Sequence, residues 1–441
     1  MARGQRWVLR AGYAVLLVTL PAWTTAGEEA KPSKEVAAIV EANNAFACDL
    51  YGKLREEKGN LFFSPFSISM ALAMTKEGAR GETEAQMRKV LHLPEGAVGP
   101  VFAALRKDLL DATKENGVEL ISANALWGKK GYAFRKEFLA CLKEQYGAGL
   151  TEVDFAGDRE GTAKAINAWV AKETGEKIAE LFRPEELGTL TRLVLANAVC
   201  FKGRWEYQFD KQKTVEGPFT VRGSDKRILV PYMHRKGGFG YLPGDGFELL
   251  EMPYQGKRLS MVILVPMKSW RNEADLKPAE PLEALEARLT PANLSAWLAQ
   301  ARCTEIFIYI PRFQLAAKPD MNKALPALGM TDAFDVRKAD FGLVAPDAVG
   351  NLFIEKVVHK AVVELNEEGT EAAAATGVVM AKADGPSHRT LRVDRPFLFL
   401  IRDNGTGAVL FAGRVINPLE GKETKDAPPD ARPAGWKQPA K

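Results

Sequence analysis

Histidine and cysteine are both scarce in this 441-residue chain, with four of each, and neither is clustered. Cys48, Cys141, Cys200 and Cys303 lie far apart, without the paired spacing of a zinc site or a disulfide framework. Buried free thiols are expected, with one bridge left open because sequence does not choose a pair. His92, His234, His359 and His388 include no His-Glu-x-x-His pair. A Gly-x-Ser-x-Gly elbow and a phosphate-binding Gly-x-x-x-x-Gly-Lys loop are also missing. Triads assemble in space, yet no serine here sits in an activating context. The chain is expected to be no enzyme and to need no metal or cofactor.

A dominant charge is lacking too. Lys and Arg number 60 against 56 Asp and Glu, a net charge of +4. That makes no case for nucleic acid or a membrane surface as partner. Arg106-Lys107 is followed at once by Asp108 and Asp111, so a solvated face is read there. No Pro/Gly/Ser-rich linker divides the middle, and no short-period repeat suggests a solenoid. No apolar run reaches the ~20 residues that a membrane-spanning helix needs.

What is present starts with an export signal over residues 1–26. Arg3, Arg6 and Arg10 form a basic start, Ala11 to Ala22 is largely apolar, and Thr24-Thr25-Ala26 offers small residues before a cut ahead of Gly27. The product is expected outside the cytoplasm, secreted, or periplasmic in a bacterial source. Residues 27–36 read as a flexible lead-in, 37–419 as the folded domain, and 420–441, with four prolines, as a disordered tail. The chain is 46% hydrophobic and 26% charged, enough to fill a large core. Asn293-Leu294-Ser295 and Asn404-Gly405-Thr406 fit the glycosylation pattern, which matters only in a eukaryotic secretory host.

Val36, Ile39, Val40, Phe46, Leu50 and Leu54 fall on one helical stripe, so 36–55 reads as an amphipathic helix closed by Gly59-Asn60. Pro65 suits the start of a second helix, running through Met74. Leu120 to Trp127 reads as a strand, and 163–172 and 283–301 as helices. Leu193 to Phe201 is nearly all apolar, as for a strand covered on both faces.

After the β-branched run Val357 to Val363 comes Glu364-Leu-Asn-Glu-Glu-Gly-Thr-Glu-Ala-Ala-Ala-Ala-Thr376, which becomes a run of very small side chains without proline. In an extended chain Thr370, Ala372, Ala374 and Thr376 share one face, and none is bulky. Such a segment could slide between two strands already packed on a core, with Gly369 giving the backbone freedom to turn back. Four alanines also suit an exposed helical linker. The flanks decide between these readings. Phe353 to Val362, Asp394 to Ile401 and Phe411 to Pro418, with Leu61 to Ser69, resemble the serpin family, and the likeness runs in order from about Ala37 to Pro418.

The resemblance implies an α+β fold of three β-sheets, eight or nine helices and an exposed reactive-centre loop. It implies a monomeric suicide-substrate inhibitor of a serine, or cysteine, protease, trapped as an acyl-enzyme when the cut loop inserts into the main sheet. The alternative is a non-inhibitory carrier, chaperone or storage member. By resemblance the hinge is Glu367, Gly369, Thr370, Glu371, Ala372, Ala373, Ala374, Ala375 and Thr376, the shutter Ser64, Ser67, Asn197 and His359, and the breach Trp205. The family count puts the reactive bond at Ala383–Asp384, with Lys382 as alternative, implying an elastase-like or trypsin-like target. Before cleavage the hinge, Thr370 included, is expected to be exposed.

Overall fold

The structure is a computed structural model describing residues 32–114, 117–188, 191–222, 226–267, 282–346, 352–370 and 389–428. All of these belong to one compact unit, Pro32–Lys441. The export signal, hinge residues 371–376 and the reactive-bond residues 382–384 lie outside the described residues.

Nine α-helices and fifteen strands are found among the described residues. In chain order the strands are β1 (Leu61–Phe63), β2 (Val118–Lys129), β3 (Gly149–Val153), β4 (Leu193–Arg204), β5 (Val215–Thr220), β6 (Arg227–Pro243), β7 (Phe247–Pro253), β8 (Leu259–Pro266), β9 (Arg302–Pro311), β10 (Phe313–Ala317), β11 (Ile354–Leu365), β12 (Gly369–Thr370), β13 (Thr390–Arg392), β14 (Phe397–Asp403) and β15 (Val409–Val415). The main sheet runs β10-β11-β12-β4-β2-β3. The second network runs β1-β15-β14-β8-β7-β6-β9-β13, with β5 beside β6. The three expected sheets make two networks because β6, 17 residues long, serves two of them. Its start pairs with β5 and its end with β7.

Helix α1 (Lys34–Leu54) begins where the Ser33 side chain accepts from Val36 N–H, and it buries Ile39, Val40, Phe46, Leu50 and Leu54. Helix α2 (Pro65–Lys76) has every residue buried, with Ser67, Ser69, Thr75 and Lys76 enclosed among its apolar side chains. Ser64 caps it and Pro65 sits where no N–H is needed. β4 is buried from Leu193 to Phe201, as its unbroken apolar run requires. Small residues Ala123, Ala125, Ala196, Ala198 and Cys200 on one face of the main sheet pack against Ala163, Ile166 and Val170 of helix Arg159–Glu173. The other face joins the main core.

Three sequence readings are revised. The single helix expected over 283–301 is two, Leu282–Ala287 and Pro291–Gln300. Pro291 starts a new helix, and Thr290 caps it by accepting from Asn293 N–H at 3.1 Å. All four cysteines are free, but only Cys200 is buried, and Cys303 is exposed. Residues 420–428, read as part of a disordered tail, are hydrogen-bonded to the domain, because they meet open backbone groups on β6. Both sequon amides are engaged: Asn293 Nδ2 donates to Arg288 O at 2.7 Å, and Asn404 Nδ2 to Lys257 O at 2.8 Å.

Candidate functional site

β4 and β11 are parallel neighbours from Leu193 and Ile354 up to Cys200 and Val362, and in this register Asn197 faces His359. His359 is fully buried. Its Nε2 accepts from Ser64 N–H at 3.1 Å. The ring is therefore neutral, with Nδ1–H donating to Asn197 Oδ1. Burial without an ionic partner pushes its pKa down to about 3. Asn197 Nδ2 donates to Ser67 Oγ at 2.6 Å and also reaches Asn124 Oδ1. Ser67 Oγ lies 2.8 Å from Ser122 Oγ, and Ser64 Oγ donates to Leu410 O at 2.7 Å. All four shutter residues read from the sequence thus form one network, and Ser122 and Asn124 of β2 extend it. The resemblance did not supply these two, although a buried asparagine in an otherwise apolar strand is itself a signal, since a buried amide needs partners.

Above Val362 and Cys200 the two strands part. Asn366 turns the chain back, its N–H donating to Gly369 O at 2.8 Å and its side-chain oxygen accepting from Glu368 N–H at 3.1 Å. β12 then enters between them. Thr370 pairs antiparallel with Leu365 of β11 on one side and with Gly203 of β4 on the other, and Gly369 pairs with Arg204. A Cβ at Gly369 would stand 1.9 Å from Gly203 O, so only glycine fits. The expectation of an exposed hinge is overturned at its start: Glu367, Glu368 and Thr370 are all buried. Thr370 Oγ1 lies 2.9 Å from the hydroxyl of Tyr254.

Trp205 holds this entry. Its N–H donates to Glu368 O at 2.9 Å and its indole Nε1–H to Asn366 O at 3.0 Å. The ring stacks on Tyr254 at 4.6 Å and meets Phe209 edge-on at 6.5 Å. Glu367 accepts from the Thr214 hydroxyl and lies 3.6 Å from Arg312, and Glu368 pairs with Lys211. Tyr254, Lys211, Thr214 and Arg312 were not legible as hinge partners, because each belongs to a segment remote in sequence. The structure therefore brings together Trp205, Glu367, Gly369 and Thr370 at the top of the sheet, and the shutter below them. No group of His, Cys, Asp or Glu suited to a metal occurs among the described residues.

The model of one family, described as "Serpin (serine protease inhibitor)", matches residues 41–418. The chain belongs to the serpin family. It is 41% identical to the leukocyte elastase inhibitor of Bos taurus over 383 residues, 86% of this chain and 98% of that protein. It is 38% identical over 408 residues to a serpin-like protein of Thermococcus kodakarensis, 91% of this chain and 90% of the relative. Among solved structures, Serpin48 of Tenebrio molitor superposes with a TM-score of 0.74 at 31% identity, covering 86% of this chain and 98% of the other. This serpin is a serine protease inhibitor and not an enzyme.

Proposed function

We propose that this serpin is exported and traps an elastase-like serine protease as an acyl-enzyme, by threading its cut loop between β4 and β11. The observation that carries this reading is β12, two residues already seated in the slot. Carrying the pairing Thr370–Gly203 on by ten residues brings residue 380 opposite Leu193, the first residue of β4. The proposed bond after Ala383 then lies just past the end of the completed strand. Carried on by six, the same register would set Thr376 opposite Asn197 on one side and opposite His359 on the other. Insertion thus has to part the His359–Asn197 bond, and it delivers a hydroxyl between the two groups it parts.

The energetics are adequate. Each new ladder hydrogen bond nets roughly 0.5–1.5 kcal/mol, so about a dozen supply on the order of 10 kcal/mol, from which parting β4 from β11 and ordering the loop subtract. An elastase-like target is supported by the small Ala383 and by likeness to the leukocyte elastase inhibitor. Lys382 would instead select a trypsin-like enzyme. The non-inhibitory alternative is disfavoured by the small, uncharged hinge residues Thr370, Ala372, Ala374 and Thr376, which share one face. Incubation with elastase and with trypsin separates these readings. An SDS-stable conjugate means trapping, and clean cleavage without a conjugate would sink it. The export reading has its own check: N-terminal sequencing of the released protein should begin near Gly27.

A further inference from the structure

The chain continues past the family match, which ends at residue 418, and its continuation is built onto the domain. Asn60 N–H donates to the Glu420 carboxylate at 3.1 Å, and Asn60 Nδ2 to Asn417 O at 2.7 Å. Further on, Leu229 N–H donates to Lys425 O at 2.9 Å and Ala427 N–H to Arg227 O at 2.8 Å. Asp426 stands antiparallel to Ile228 between these two bonds. Two further contacts fix the register: Lys226 Nζ lies 2.9 Å from Asp426, and Arg227 Nη2 donates to Pro428 O at 2.9 Å.

The position of this short ladder is informative. β5 occupies one side of β6 from Arg227 to Tyr232. β9 covers the other side only from Tyr232 onward, its last pair being Pro311 with Tyr232, and Arg312 N–H adds a bond to Pro231 O at 2.9 Å. The N–H of Leu229 and the carbonyl of Arg227 therefore lie beyond the reach of β9. Their strand partner is the C-terminal extension. A bare strand edge of this kind is a template for another chain, and proteins blunt it with charge or cover it.

We propose that the β6 edge at Arg227–Leu229 is a strand-acceptor surface, filled in cis by residues 425–427 and, when vacated, fitting the same extended segment from a second copy of this chain. Recognition is by strand addition. Main-chain bonds supply the affinity, and the Lys226–Asp426 pair, with Arg227 on Pro428 O, selects the segment. The covalent tether holds the cis segment at a high effective concentration, so the intact chain keeps the edge closed.

The test uses a chain ending at Pro418 and a fluorescent synthetic peptide of residues 419–428. The shortened chain should bind the peptide, the intact chain should bind it at least tenfold more weakly, and an Asp426→Lys peptide should lose about tenfold on the shortened chain. Equal binding to both chains, or to neither, overturns the proposal. Should the shortened chain fail to fold, hydrogen exchange on the intact protein decides. The Leu229 amide should be protected, and Ala427→Pro, which removes the donor to Arg227 O, should speed its exchange at least tenfold. An unchanged rate in that variant refutes the acceptor edge.

Discussion

Arginine in place of Thr370 tests the hinge at its first inserted position. Thr370 is fully buried between Leu365 and Gly203, its hydroxyl on that of Tyr254. The Tyr254 ring already fills the space beside Gly203, 2.8 Å from where a Cβ there would stand. Thr370→Arg would bring a cation into a buried place lined by Leu365, Gly203 and Tyr254, at a cost of several kcal/mol. Withdrawing β12 is cheaper. It forfeits a few backbone bonds at about 1 kcal/mol each, and Tyr254 and Trp205 become wetter. The variant should therefore fold with its hinge expelled, and tryptophan emission should shift to the red. It should still be cut at the wild-type bond. The penalty returns when the cut loop inserts, since residue 370 must enter first. A rise of about 3 kcal/mol in that barrier slows insertion roughly 100-fold, and deacylation then wins. Titration against the target protease should show a steep rise in stoichiometry of inhibition with little change in the initial cleavage rate. If the variant forms as much SDS-stable conjugate as wild type, hinge insertion as argued here is wrong.

His359 titrates in the unfolded chain near 6.5 but is held neutral to about 3 in the fold, so between these values the unfolded state binds the extra proton. Native stability should fall as pH drops from 6.5 toward 3, by up to roughly 1.4 kcal/mol per unit, and His359→Gln should flatten that part of a melting-temperature profile. Glu286→Gln should lower the melting temperature by several degrees. It strips the carboxylate from Arg414, which is fully buried and otherwise bonded to the carbonyls of Arg55, Glu57 and Gly59; removing one partner of such a pair costs about 3–5 kcal/mol. Mass spectrometry of the peptide released by the target protease should find the cut after Ala383, and a cut outside residues 382–384 rejects the register of the loop.

The sequence revealed those parts of the fold that repeat a local physical rule. The unbroken apolar run of β4 announced a strand buried on both faces, and Ser64-Pro65 announced a helix start. The shutter residues were legible only through the resemblance to the serpin family, since nothing local in the sequence ties Ser64, Ser67, Asn197 and His359 together. What stayed hidden depends on contacts across the chain. Arg312 and Lys211 sit on different elements, yet both meet the hinge carboxylates. The early seating of Thr370 was hidden for the same reason. Side-chain size says that a segment can insert, whereas how far it has inserted depends on Trp205, Tyr254 and Glu367 acting together. The helix over 283–301 failed differently: its apolar period continues through Pro291, and the local break overrides the period.

The arrangement links stability to function through one row of residues. Below Cys200 and Val362 the slot is shut by eight paired positions of β4 and β11, and its polar lock is the contact between Asn197 and His359. Above them it is already open by two residues. Strand separation therefore has a defined starting point and a defined obstacle. Besides the ladder bonds of those eight positions, the polar part of the obstacle is one neutral hydrogen bond with a net worth of about 1 kcal/mol, and in the proposed insertion Thr376 would take its place in register. A buried ion pair at that place would cost several kcal/mol to break, and an apolar pair would leave the arriving hydroxyl without a partner. On the proposed trapping mechanism, a neutral amide–imidazole lock, held neutral by burial, keeps the sheet closed in the intact chain and lets it reopen within the lifetime of an acyl-enzyme.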